Sequence, residues 1–456
     1  MKTTKGVLTG VTNGTGAVYC TVVDLTDEFG IEAAVTDVGE TAYGMKDVMT
    51  DADGKIYMYL PADENGTTIV FGTHFYSGTV SAEAGADNRL TRGTECKYSL
   101  LVLGAPAYYE RNESTQGILI KDGADLIIKS GNGYGKDNYS PMRIQIEENA
   151  SVTLTLDGAY MDASAIPYIS SPILIPENST GNVNIILKGE NGLKAGRYYA
   201  AIQKNGNAEN IGTLTISGDG SLMAAGGYNA AGVGSSDGKP VKNIVISSGI
   251  ITATGGVYGA GIGGGDGGTA SNITISGGTI TATSIVVGDD GSTGAGIGGG
   301  FAGMGNNITI SGGTVTAISS ATGEYGRTGA GIGGGYSREG NNITISGGTV
   351  TALSTADNAS CEGYGIGSGW GANDDSTPTV TGGNIKVNKL CGIQGKDGDE
   401  PYEAYLARVD LLLLAGKNAV VGNPVLQTYN KKTGETKTLS YNLKDVCTME
   451  DGYLYM

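Results

Sequence analysis

The chain is predicted to be an all-β protein built around a parallel β-helix, and three observations carry that prediction. A phrase recurs almost unchanged: "GAGIGGGDGGTASNITISGGTITA" (259–282), "GAGIGGGFAGMGNNITISGGTVTA" (294–317) and "GAGIGGGYSREGNNITISGGTVTA" (329–352). Within each copy, apolar and polar residues alternate through "NITIS" and again through "TVTA", a period of two that belongs to strands. Finally, the 80 glycines among 456 residues follow no every-third spacing and come with only 10 prolines, so they mark turns rather than collagen. Strand, Gly-Gly turn, strand and loop, repeated in one chain, is the signature of a solenoid.

The elements follow in order. Residues 1–95 hold "DVMTDADGKIYMYLPADENGTTIVF", alternating segments around an Asp-Gly turn, and predict a small β-sandwich. Residues 96–114 are a linker or cap. The solenoid is expected over 115–398, with roughly eight to ten rungs. Its looser rungs begin at Ile118 ("ILIKDGADLIIKSG"), Arg143 ("RIQIEENASVTLTLDG"), Ile173 ("ILIPENSTGNVNIILKG") and Ala200 ("AAIQKNGNAENIGTLTISG").

The regular rungs are marked by Ile216, Ile246, Ile275, Ile310, Ile345 and Val380, the last four at a 35-residue period. "YGIGSG" and "PTVTGGNIKV" supply one more rung, and "CGIQG" (391–395) is a candidate start of the last. No single rung can bury its own isoleucines. Stacked about 4.8 Å apart, the rungs turn Ile262, Ile273, Ile275 and Ile280 and their equivalents into internal columns. Asn243, Asn272, Asn307 and Asn342 share one position and predict a side-chain ladder at a corner.

Residues 405–456 are expected to form an incomplete second sandwich. "YNLKDVCTMEDGYLYM" (441–456) aligns without gaps to "YGMKDVMTDADGKIYM" (43–58), sharing nine of sixteen positions, and then stops in mid-strand. This predicts a piece of a longer protein arranged as sandwich, solenoid, sandwich. It also disfavours calcium at "DADG", because Met449 stands in the second copy where Asp51 stands in the first.

Composition narrows the function. A formal net charge of −17 argues against nucleic acid and anionic membrane surfaces as partners. No apolar stretch is long enough to span a membrane, and "MKTTKGVLTG" lacks the apolar core of a signal peptide. His74 is the only histidine, which removes histidine triads and most transition-metal sites. The five cysteines form no CxxC; Cys361 and Cys391 lie about one rung apart, as inert thiols or as a pair. No cofactor and no metal ligand set is expected. Gly259-x-Gly261-x-x-Gly264 matches a dinucleotide fingerprint in letters only, since no helix follows it.

The residue after each "GIGGG" or its variant is Asp237, Asp266, Phe301, Tyr336 and Trp370 on five successive rungs, with Trp370 the only tryptophan. Aromatics in register either stack sugar rings or stack on one another. Asp237 and Asp266 are either a carboxylate pair or a solvated loop edge. Thr279 and Thr281, with Thr314, Thr316, Thr349 and Thr351, predict a flat outward array, the ordinary use of threonine on an exposed strand.

"GAGIGGG…NITISGGTVTA" resembles repeats in large surface proteins of anaerobic Gram-positive bacteria, described as carbohydrate-binding or adhesin-like β-helix domains. The resemblance covers about 200–387. "TDADGKIYMYLP" is similar to β-sandwich modules of the same kind of protein. The resemblance implies an extracellular, cell-surface or cell-wall location and a glycan or other host or bacterial surface ligand as partner. It supplies no catalytic residues. The expected function is therefore a non-catalytic adhesive or structural module, with Phe301, Tyr336, Trp370, Asp237 and Asp266 as the candidate ligand-binding residues. The alternative is a β-helical polysaccharide lyase or glycoside hydrolase, whose acids would come from the loops or from rungs 118–200.

Overall fold

The computed structural model describes residues 99–387, apart from 104–107, 113–115, 132–133, 165–170, 289–290, 359–360 and 373–377; outside that range it describes individual strands only. His74, the Asp51–Asp53 turn, "CGIQG" and Cys391 lie outside the described residues.

Three sheets, parallel except at edge strands, run the length of the centre and enclose one core. We refer to them as the Gly, Asn and Thr faces, after the residues that mark them. The Gly face has 12 strands, the Asn face 10 and the Thr face 8. One turn of the chain contributes one strand to each: Ile262–Gly263, Ala270–Ile275 and Thr279–Val287, after which Ile297–Gly298 lands on Ile262–Gly263 one rung on. The fold is thus the parallel β-helix that the alternation and period predict.

The looser rungs also fall where the alternation places them, at Gly117–Ile120 and Asp125–Ser130 and onward. The sequence did not reveal their third strands, Tyr160–Asp162, Glu190–Lys194 and Ser221–Ala225, which complete the Thr face. At the N-terminal end, Leu100–Leu103 and Tyr109–Asn112 pair antiparallel with the first Asn-face and Gly-face rungs. They cover edges that would otherwise expose unpaired backbone groups. The last parallel strand of the Gly face is Lys389–Leu390, ahead of "CGIQG".

Register decides what is buried. Leu126, Leu154, Ile185, Ile216, Ile246, Ile275, Ile310, Ile345 and Val380 follow one another rung by rung in a single column. Ile262, Ile273, Ile275 and Ile280 all point into the core, as predicted. Each such aliphatic side chain contributes about 1.5–3 kcal/mol by leaving water. The change of period has a local cause. Between Ile246 and Ile275 the Thr-face strand is the five-residue Ile250–Thr254, whereas after Ile275 it is the nine-residue Thr279–Val287.

Two devices hold the corners. Asn243, Asn272, Asn307 and Asn342 adopt φ between 52° and 60°. Asparagine tolerates this left-handed conformation better than other non-glycine residues. Their side chains form the predicted ladder: Asn272 donates to Asn243 Oδ1 at 2.9 Å, Asn307 to Asn272 at 3.1 Å, and Asn342 to Asn307 at 3.1 Å. On the Gly face, Gly263, Gly298 and Gly333 have φ of 140°, 135° and 138°. A Cβ on any of them would lie 1.9–2.0 Å from the carbonyl oxygen of the next rung. The repeated glycines are therefore what lets backbone stack on backbone.

One core position breaks the pattern. On the Gly face, Lys204 stacks on Ile175 of the rung before, is 2% exposed, and donates from Nζ to the Lys242 carbonyl at 2.6 Å. Burial, reinforced by the Lys242 charge, pulls its pKa from 10.5 down to about 8.

On the N-terminal side, Val18–Asp24 pairs with Lys55–Pro61 and Thr67–Thr73 with Tyr76–Ala82, within two four-stranded sheets. Met49–Thr50 and Lys55–Pro61 pair across the Asp-Gly segment. In the C-terminal copy the corresponding strands take separate partners: Val446–Cys447 pairs with Val420–Val421, and Tyr453–Tyr455 with Arg408–Asp410.

Two outcomes are expected from this core. Ile310→Ala should lower stability by about 2–5 kcal/mol in denaturant unfolding, as buried aliphatic truncations do. Because the Lys204 pKa is depressed in the folded state, its protonation favours unfolding below pH 8, and that penalty fades as pH rises toward 10.5. Lys204→Met should therefore be more stable than the parent at pH 7, by on the order of 2–3 kcal/mol, with the gap closing by pH 10.5.

Candidate functional site

Phe301, Tyr336 and Trp370 do line up along the outside of the solenoid. Phe301 and Tyr336 stack with ring centroids 5.1 Å apart and planes 6° apart; Tyr336 and Trp370 stack at 5.8 Å and 13°. The alignment follows from the backbone. The residue after each of these positions donates to the carbonyl of the next aromatic: Gly267 to Phe301 at 2.7 Å, Ala302 to Tyr336 at 3.2 Å and Ser337 to Trp370 at 2.8 Å.

A second column runs beside the first and was not singled out from the sequence. Tyr198, Asn229, Tyr258, Thr293 and Thr328 each stand four residues before the first residue of a Gly-face strand. Their carbonyls accept, in order, the N–H of Asp237, Asp266, Phe301, Tyr336 and Trp370 one rung on, at 2.7–3.2 Å. The signal was positional: identical spacing from the start of each Gly-face strand, with side chains too varied to register as a repeat.

The strip crosses between these columns. Where the first column carries Asp266, Phe301 packs instead on Tyr258 of the second, at 5.2 Å and 58°. Tyr258 meets Tyr228 edge-to-face at 5.8 Å and 86°. Arg197 then lies 5.6 Å from the Tyr228 ring centre and 5.2 Å from that of Tyr198. At the other end Arg327 sits 5.0 Å from the Trp370 ring centre and 5.8 Å from that of Tyr336.

The strip therefore has two characters. From Phe301 to Trp370 the rings lie flat on one another and are half-buried. At Tyr258 and Tyr228 they meet edge-to-face instead, and Tyr228 and Tyr198 are 46% and 44% exposed.

The two aspartates border the open end. Asp237 Oδ2 accepts from Asn229 Nδ2 at 3.2 Å, while Asn229 Oδ1 is buried without a partner. Asp266 is pushed above the usual carboxylate range by burial and then by the negative charge of Asp237; a hydrogen bond from the Gly267 N–H works the other way. Burial, with neighbouring Tyr228 and Asp266, also raises the Tyr258 hydroxyl, which shares a side-chain hydrogen bond with Tyr228. All five residues singled out from the sequence belong to this one surface, but in two parts: the aspartates at the open end, the three aromatics in the closed stack.

Elsewhere, Tyr139 and Tyr160 cross edge-to-face at 5.3 Å beside Lys194 and Glu190 at the start of the Thr face. Burial raises both hydroxyls. Thr279, Thr281 and their equivalents point outward from the Thr face, as predicted. Cys361 is a buried free thiol. Among the described residues no group of three or more His, Cys, Asp or Glu could hold a metal ion.

A family model described as a beta helix repeat matches residues 214–237, 244–266, 273–301, 308–336 and 343–370. The five matches end on Asp237, Asp266, Phe301, Tyr336 and Trp370, the same repeat position each time. The chain thus carries five copies of a β-helix repeat. No curated protein and no solved structure matches it.

The closed half of the strip makes a structural prediction. Tyr336→Ala removes a ring stacked on both sides and should lower stability by about 1–3 kcal/mol. As the only tryptophan, Trp370 reports the loss directly through a red-shifted emission.

Proposed function

We propose that the chain is a non-catalytic adhesive module of an extracellular or cell-wall surface, with a glycan as its partner. The observation that carries this reading is the aromatic strip: rings held in register on the outside of a rigid solenoid, bordered by Asp237, Asp266, Arg197 and Arg327. Rigid aromatic side chains give large amphipathic contact area at low entropic cost. Planar polar side chains beside them suit the hydroxyl pattern of a sugar. A net charge of −17 suits a partner other than nucleic acid.

A lyase or glycoside hydrolase remains the second reading, and the neighbouring Asp237 and Asp266 are what favour it, since glycosidases divide acid and base roles between two carboxyl groups. The tyrosines of the looser rungs do not favour it. A base works best with a pKa near the operating pH, and burial moves Tyr139 and Tyr160 the other way.

Calorimetric titration with soluble glycans, followed by assay of the same mixtures for new reducing ends and for unsaturated uronate, separates the readings. Binding heat without new ends is the expected result. Release of ends that Asp266→Asn abolishes would establish the enzyme instead.

A further inference from the structure

The aromatic strip is a continuous row, yet its rings are not equally available. Tyr336 has Phe301 on one face and Trp370 on the other, at 5.1 and 5.8 Å and nearly parallel. Phe301 has Tyr336 on one side and the tilted Tyr258 on the other. A sugar stacks on the face of a ring, with its C–H groups against the π-cloud. Faces already covered by neighbours offer it edges only.

At the other end the geometry changes. Tyr228 meets Tyr258 edge-to-face and is 46% exposed; Tyr198 is 44% exposed; the Arg197 guanidinium lies 5.2 Å from the Tyr198 ring centre and 5.6 Å from that of Tyr228. The same end holds Asp237, Asn229 and Asp266, joined to Tyr198 and to each other through backbone and side chain. The Asp237 N–H donates to the Tyr198 carbonyl at 3.1 Å, the Asp266 N–H to the Asn229 carbonyl at 2.7 Å, and Asn229 Nδ2 to Asp237.

Resting on the glycan reading above, we infer that the binding site is this open end: Tyr198 and Tyr228 are the stacking platform, and Asp237, Asn229 and Asp266 are the hydroxyl-binding edge. The Phe301–Tyr336–Trp370 stack is a structural spine that holds the platform in place. The polar edge also sets the ligand class. This end carries two carboxyl groups and one guanidinium that is already engaged with two rings, so a uronate or sulfated sugar meets net repulsion. A neutral sugar with adjacent hydroxyls finds acceptors at both carboxyl groups. The site takes a neutral saccharide residue.

The test uses the whole chain, with neutral oligomers of glucose, mannose and N-acetylglucosamine and with a uronic-acid oligomer as probes. Tyr228→Ala and Tyr198→Ala should each weaken binding of the preferred neutral oligomer about tenfold or more, with the melting temperature retained because both side chains are exposed. Trp370→Ala should lower the melting temperature while changing affinity little. Asp237→Asn should weaken the neutral oligomer and reduce discrimination against the uronate. Binding lost with Trp370→Ala but kept with Tyr228→Ala and Tyr198→Ala would overturn this site while leaving glycan binding intact. A preference for the uronate would overturn the ligand class. No heat with any probe would remove the glycan reading itself, and this site with it.

Discussion

Everything in the solenoid depends on one spacing, the roughly 4.8 Å between hydrogen-bonded parallel strands. Each residue lies that distance from its equivalent on the rungs before and after, so chemistry that stacks well on itself is the chemistry that fits. Aliphatic side chains do, and they fill the interior from Leu126 to Val380. Asparagine amides do, with a donor and an acceptor on one planar group, and they form the corner ladder from Asn243 to Asn342. Flat rings do, and Phe301, Tyr336 and Trp370 use it. Where the backbone itself must pass at that distance, at Gly263, Gly298 and Gly333, nothing larger than hydrogen is accommodated.

That constraint also explains what could be read from the sequence. Positions that stack like on like repeat in letters: the isoleucine columns, the asparagine ladder and the glycines of "GIGGG" were legible, and the structure places them as read. The aromatic stack was legible because its residues share a position relative to those glycines. The looser rungs were harder. Glu190–Lys194 and Tyr160–Asp162 complete the Thr face without its alternation of threonines, because only the core-facing side of a strand must be apolar. Lys204 was invisible as a core residue, since nothing in "AAIQKNG" distinguishes an amine facing inward from one facing water. The second surface column was missed for a related reason. Tyr198, Asn229, Tyr258, Thr293 and Thr328 are tied to the first column through their backbone carbonyls, which carry no side-chain signature.

The strip illustrates how one repeat position serves two purposes. Rings that stack spend their faces on each other, and from Phe301 to Trp370 stability claims them. One and two rungs before Phe301 the same position carries Asp266 and Asp237, and the aromatic row shifts to Tyr258 and Tyr228, which are tilted or edge-on, with the exposed Tyr198 beyond them. Carboxylates replace rings where the faces are free. A solenoid suits this division of labour, because each rung contacts only its neighbours and a local change of side chain need not disturb the rest.

Pulsed electron resonance on spin labels along the Thr face measures the stacking most directly. Met223, Thr252, Thr281, Thr316, Thr351 and Lys386 occupy successive rungs of one outward column. Labels on Met223→Cys with Thr316→Cys span three rungs, and on Met223→Cys with Lys386→Cys five. The second distance should exceed the first by about 10 Å, two strand spacings, although 70 residues of chain separate Thr316 from Lys386. Two narrow distributions offset by that amount are the predicted result. An offset far from it, or distributions too broad to resolve one, would contradict a rung-by-rung register.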